Sequence, residues 1–308
     1  MNYTNRHKLS DEFVHWLISD EYDYDPDPLV LSATTLMKPV RITILEERWN
    51  SSITVDVSDL VALRYGTALH DSFEKSNVPN CIQEVRYYRD IDGFTVSGKV
   101  DLVMHADKPI MTLGDLKSTS VWNYILSGKD KGYIQQLSIY KWLMEDGYTK
   151  TEDGRKHPVQ IPTHPHAEVK FAFTDWSKTD SRQKKDYPQS RVKEKRIQLD
   201  SLEETEAFIL SKLAEVKSAR ELSDNNLPEC TKEELWQSET TYAVMKIGGK
   251  RAVKLHNDYA SAIKHARSYK TNDYRVDTRK GKAKRCNYCN VTEFCNQYKE
   301  LLAHNLID

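Results

Sequence analysis

No apolar stretch in this sequence approaches the roughly 20 residues that a membrane-crossing helix needs. The amino end, "MNYTNRHKLSDEFVHWL", lacks the apolar core and small-residue cleavage site of a secretory signal. Its Ser10-Asp11-Glu12 reads instead as the capped start of a short helix. Cysteine is scarce and odd in number: five in 308 residues, three of them within ten positions. That pattern argues against a secreted disulfide scaffold and for a reducing compartment. Net charge is nearly absent too, at −1 from 45 basic and 46 acidic side chains, so no global field selects a nucleic acid or a membrane. There is no internal repeat. These absences set the expectation of a soluble, cytoplasmic protein.

What is present is a polar globular composition, 39% hydrophobic and 30% charged, long enough for one large domain or two smaller ones. Charge is distributed unevenly. Between Lys246 and Arg285 stand thirteen Lys or Arg against Asp258, Asp273 and Asp277, an excess of ten. Such a segment is either a solvated basic face or a footprint for phosphates.

Periodicity supplies the elements. Residues 58–76 carry a helical stripe of Leu60, Leu63, Ala68 and Phe73 behind Ser58 as N-cap. "FTVSGKVDLVMH" alternates as a half-buried strand, with Thr95, Ser97, Lys99 and Asp101 on its polar face. Residues 109–117 and 167–176 read as further strands, and 132–147 as a helix. This order predicts an α/β core with a mixed sheet. Beyond 180 the character changes: 178–196 has no period, 199–224 is a long amphipathic helix, 241–256 a hairpin, 258–269 a helix and 271–285 a loop. The expected division is a core over 1–180, a helical and basic ββα extension over 181–285, and a Cys-rich segment over 286–308.

The run "LGDLKSTS" (113–120) places Asp115 and Lys117 on one face of a strand. With Asp101 from the neighbouring strand, two carboxylates could hold a hard divalent cation such as Mg²⁺ or Mn²⁺. A lysine beside them could orient a metal-bound water and neutralise a phosphate. The same acid-x-Lys spacing recurs at Glu215-Val216-Lys217, where the amphipathic helix makes it a solvated face. Gly66 and His70 lie one helical turn apart before the two strands, and Gln136 and Tyr140 one turn apart after them.

This series resembles the RecB-like branch of the PD-(D/E)xK nuclease superfamily over residues 30–175: "LSATTL" at 31–36, Gly66-x3-His70, "GKVD" ending in Asp101, Asp115-Leu116-Lys117, and Gln136-x3-Tyr140. The resemblance implies a nuclease core of mixed central sheet flanked by helices, here with a C-terminal α+β extension and a Cys-rich segment packing back on it. It implies that Asp101, Asp115, the Leu116 carbonyl and His70 ligate the metal and that Lys117 acts on the attacking water. Gln136 and Tyr140 would position the DNA strand or the lysine. Asp115 stands where many members have Glu.

Cys286-x2-Cys289-x5-Cys295 has the spacing of a thiolate grip on zinc or an iron–sulfur cluster. It also resembles the C-terminal cysteines of iron–sulfur nucleases of CRISPR-adaptation and phage recombination type. Those nucleases carry a fourth cysteine soon after the "LSATTL"-like segment, and "MKPVRITILEERW" has none. Cys230 is the favoured fourth ligand, Cys81 and His304 the alternatives. The function implied is a metal-dependent deoxyribonuclease, an exonuclease on DNA ends in recombination or repair. A structure-selective or nicking endonuclease and a non-catalytic DNA-binding subunit are the other readings, and a recombination or repair partner is compatible with any of them.

Overall fold

A strand that pairs with three others has two edges to share among them, and the fold turns on how one strand does this. The computed structural model describes residues 1–19, 25–126, 130–269, 271 and 273–307. Its strands are β1 (Asn2–Thr4), β2 (Val30–Ser32), β3 (Thr54–Asp56), β4 (Cys81–Ile91), β5 (Phe94–Met104), β6 (Met111–Thr119), β7 (Gly147–Lys150), β8 (Lys156–Val159), β9 (Thr163–Phe173), β10 (Val192–Gln198), β11 (Thr241–Lys246), β12 (Ala252–His256) and β13 (Tyr274–Arg279). The helices are α1 (Asp11–Ile18), α2 (Ala33–Leu36), α3 (Val40–Trp49), α4 (Val61–Glu74), α5 (Val121–Leu126), α6 (Asp130–Glu145), α7 (Lys178–Gln183), α8 (Leu202–Arg220), α9 (Tyr259–Arg267) and α10 (Asn296–Ala303).

The chain forms two compact units. The larger holds residues 2–38 and 54–217; the smaller holds Met1, 39–53 and 218–308. The boundaries differ from those expected at 180 and 285. Strand β10 extends the large sheet, the division falls within α8, and 286–308 shares its unit with α3.

In the larger unit the sheet runs β10-β9-β6-β5-β4-β7-β8, with β2 added against β5. It is mixed: β6 and β9 are parallel, β5 is antiparallel to β4 and β6, and β2 is parallel to β5. Helix α6 packs on β4, β5 and β9 and buries Leu137, Ile139 and Leu143. Strand β4 covers one edge of β5 from Phe94 to Met104. The other edge is divided. Strand β6 pairs only with Leu102–Met104, and β2 pairs with Thr95–Ser97.

The half-buried reading of β5 is therefore corrected. As a central strand it is covered on both faces, and its expected polar face includes Ser97 and Asp101, both buried. Helix α4 also differs from expectation. Asp56, not Ser58, caps the turn leading into it, Leu63 is exposed, and Arg64 is buried with its Nε donating to the Leu17 carbonyl at 2.9 Å.

In the smaller unit β11 is the centre of a three-stranded sheet, β12-β11-β13, joined by α9. The hairpin and helix match the sequence reading, while β13 occupies part of the stretch read as loop. Asp258 caps α9 by accepting from the Ser261 N–H at 2.7 Å. Trp49 of α3 stacks on Phe294 with centroids 4.7 Å apart.

Candidate active site

The divided edge of β5 makes a gap in the sheet. The β5–β6 ladder ends at Leu102↔Gly114. One residue further along each strand stand Asp101 and Asp115, both buried. The Leu116 N–H, past the last ladder pair, donates to Asp101 Oδ2 at 2.9 Å. A carboxylate thus takes a place that a backbone carbonyl holds elsewhere in a ladder, and the Leu116 N–H keeps a partner where the strands part.

Lys117 Nζ donates to Asp115 Oδ1 at 2.7 Å. The other oxygen, Asp115 Oδ2, is buried without a hydrogen-bond partner. A buried carboxylate oxygen with no donor is costly, and a divalent cation satisfies it. From α4, His70 Nδ1 lies 2.8 Å from Glu84 Oε1 and 3.8 Å from Asp101 Oδ1. His70, Glu84 and Asp101 each offer a ligand atom, all within 4.8 Å of one another. Glu84 also accepts from Lys99 at 2.9 Å.

Electrostatics follow from this crowding. Burial, and then the neighbouring Asp115, push Asp101 up to about 7, against the opposing pull of Lys117 and His70. The hydrogen bond to Glu84 raises His70 despite its desolvation. Burial would raise Glu84, but the bonds from His70 and Lys99 prevail and hold it below the ordinary range. Burial opposes the charge on Lys117, yet Asp115 and Asp101 outweigh it and keep the ammonium protonated.

The structure therefore brings His70, Asp101, Asp115 and Lys117 together. Leu116 contributes its N–H to the same spot. Gln136 Nε2 donates to the Tyr140 hydroxyl at 2.8 Å, and the Tyr140 ring lies so close over Gly98 that a Cβ there would fall 2.6 Å from it. Gly98 is thus needed for contact. At Gly66 a Cβ would meet only Ser118 Oγ at 3.7 Å, an ordinary contact, so the small residue is not needed there. Glu215 and Lys217 are exposed on α8, as a solvated face should be.

Two residues escaped the sequence reading. Tyr133 on α6 sits within electrostatic range of Lys117 and Asp115; its i+7 relation to Tyr140 was the available signal. Glu84 had no local signal. It lies inside β4 with φ +56°, a left-handed conformation that costs a non-glycine residue of order 1–3 kcal/mol and is concentrated at functional sites.

In the smaller unit Cys230, Cys286, Cys289 and Cys295 line one cavity, together with Arg41 and Gln297. Gln297 clamps Cys230 by accepting from its N–H and donating to its carbonyl, both at 2.9 Å. Burial pushes the Cys230 thiol up to about 12 and that of Cys286 to about 11. Cys81 belongs to β4 of the larger unit, and His304 is the C-cap of α10.

A model of the PD-(D/E)XK nuclease superfamily matches residues 12–296. The chain belongs to that superfamily. Among solved structures, this chain is similar to the crystal structure of SSO0001, at 15% identity and TM-score 0.42 over 62% of the present chain and 78% of that one. No curated protein matches it. Membership implies metal-dependent nuclease chemistry, and the mixed sheet with flanking helices is the expected core. Among the described residues, no helix is long and apolar enough to cross a membrane.

Proposed function

We propose that the chain is a Mg²⁺- or Mn²⁺-dependent deoxyribonuclease of the RecB-like branch that acts on DNA ends as an exonuclease. The observation that carries this reading is the partnerless Asp115 Oδ2 in electrostatic range of Asp101, whose own carboxylate clusters with His70 and Glu84 at the gap in the sheet. His70, Asp101, Asp115 and the Leu116 carbonyl would hold the cation, with Glu84 as a further ligand or as the anchor of His70. A bound cation polarises the phosphoryl oxygen and lowers the pKa of a water.

The chain's own residues do the rest. Asp115 holds the Lys117 ammonium, which stays protonated and so orients the attacking water and neutralises phosphate charge rather than acting as the base. Tyr133 adds a hydroxyl within range of that ammonium. Gln136 and Tyr140 position the strand or the lysine. The basic ββα unit offers exposed Lys and Arg to a phosphate backbone, with Tyr269 stacked on Tyr274 at 3.9 Å and Tyr242 edge-on to Tyr259. The four cysteines would take zinc or an iron–sulfur cluster as a structural centre, and thiolate donors suit both. Absorbance near ~400 nm separates iron from colourless zinc. Recombination or repair, in a phage or bacterial cytoplasm, is the setting that fits such an enzyme.

The test uses end-labelled linear duplex and closed circular DNA with Mn²⁺ or EDTA. Degradation of linear DNA alone supports the exonuclease. Cutting of circles supports an endonuclease at the same centre, and no cleavage of either supports a DNA-binding subunit.

A further inference from the structure

We propose that Arg41 is the buried counter-charge of an anionic metal–thiolate centre formed by Cys230, Cys286, Cys289 and Cys295. The inference rests on the reading of those four thiols as metal ligands and assigns a residue that the reading leaves out.

Arg41 is 2% exposed. A guanidinium does not lose its proton in a protein, so this is a permanent cation in the interior. Its Nε donates to the Pro228 carbonyl at 3.0 Å. Nη2 donates to the Leu227 carbonyl and Nη1 to Asn296 Oδ1. Nη1 also points at Cys295 Sγ from 4.0 Å. None of these partners carries a formal charge while the thiols are protonated. Asp224, an acid in electrostatic range, is already bound to Arg48 at 2.6 Å and to the Trp49 indole at 2.8 Å. A buried cation with neutral partners is a poor arrangement unless an anion completes it.

The cavity beside it can supply that anion. When a divalent metal binds four cysteines, each thiol gives up its proton to solvent and each thiolate donates an electron pair. The centre then carries about two negative charges. Arg41 opposes that charge at contact range, through the sulfur of Cys295, and both groups are buried, where Coulomb attraction is less screened than in water. The guanidinium fork is held by two backbone carbonyls and an amide, so it is in place before a metal arrives and loses little freedom when one binds.

Other charges near the thiols are less committed. Arg285 lies over the Trp236 ring at 4.9 Å and donates to the Glu234 carbonyl at 3.2 Å. Glu234 acts against the Cys230 thiolate and Glu46 against that of Cys289. Arg41 is therefore a positioning residue whose charge sets metal affinity; it is not itself a ligand.

The experiment is a competitive Zn²⁺ titration of the purified full-length chain against a chromophoric chelator, with wild type, Arg41→Lys, Arg41→Gln, Arg41→Met and Cys289→Ser. The expected result is roughly a 10–100-fold loss of Zn²⁺ affinity in Arg41→Gln and Arg41→Met. Arg41→Lys, which keeps the charge, is expected to stay close to wild type. Wild-type affinity in Arg41→Gln overturns the proposal, as does an Arg41→Lys as weak as Arg41→Met. Arg41→Gln keeps hydrogen-bonding capacity, so it reports on charge even where Arg41→Met folds poorly. Unchanged Zn²⁺ binding in Cys289→Ser would instead defeat the tetrathiolate reading beneath it, a separate outcome.

Discussion

Asp101 Oδ2 accepts the Leu116 N–H at 2.9 Å, just past the last β5–β6 ladder pair, Leu102↔Gly114. That bond marks where the sheet opens. From there β6 follows β9, with Asp115 opposite Val169 and Lys117 opposite Phe171, while β2 takes over the edge of β5 at Thr95–Ser97. Two carboxylates, an imidazole and an ammonium group gather at the opening because backbone pairing stops there.

Lys117→Ala removes the ammonium beside Asp115. Cleavage of end-labelled linear DNA with Mn²⁺ is expected to fall by about 10²–10³, the scale for losing one preorganised charge at a reacting phosphate. Circular dichroism should remain native, and retained cleavage would refute the lysine's role.

Glu84→Gln removes the negative partner of His70 and Lys99. The His70 pKa, followed by NMR, should drop. Mn²⁺ affinity should weaken about 10–100-fold, as for loss of a group that orients a ligand. An unchanged histidine titration would contradict the assignment.

Asp101 gives a pH dependence with a definite sign. Its folded value is raised to about 7 from the ordinary 3.8. The folded chain therefore favours the protonated form, and this contribution to stability is full at pH below 3.8 and is lost as pH rises toward 7. In EDTA, wild type should lose more thermal stability between pH 4 and 7 than Asp101→Asn does. Divalent cation should reverse the loss, and its affinity should rise with pH over the same window. Equal pH slopes for the two proteins would count against the buried carboxylate.

Gly98→Ala places a methyl 2.6 Å from the Tyr140 ring. The expected cost is about 1–3 kcal/mol in urea unfolding, the usual range for overpacking, with activity reduced because Tyr140 and its partner Gln136 must shift. Gly66→Ala, with its Cβ 3.7 Å from Ser118, should cost far less.

Much of the site was legible because its residues come in short-range pairs. Asp115 and Lys117 share a strand face, and Gln136 and Tyr140 sit one helical turn apart and hydrogen-bond. Glu84 has no such pairing. It reaches His70 across 14 positions and through a left-handed backbone, neither of which leaves a periodic mark. Two of the unrecognised strands share another physical reason. β10, "VKEKRIQ", and β13, "YRVDTR", are outer strands of their sheets, and charged side chains protect such edges while hiding the apolar alternation that reveals a strand. The divided edge of β5 was invisible because register between distant strands is not written in either one.

The central claim is that the gap in the sheet binds one hard divalent cation through Asp115 and its neighbours. Titration calorimetry of Mn²⁺ into wild type and Asp115→Asn at pH 8 tests it most directly. The account predicts one Mn²⁺ at the site in wild type and at least about tenfold weaker binding in the variant. Equal affinity in the two proteins would contradict it.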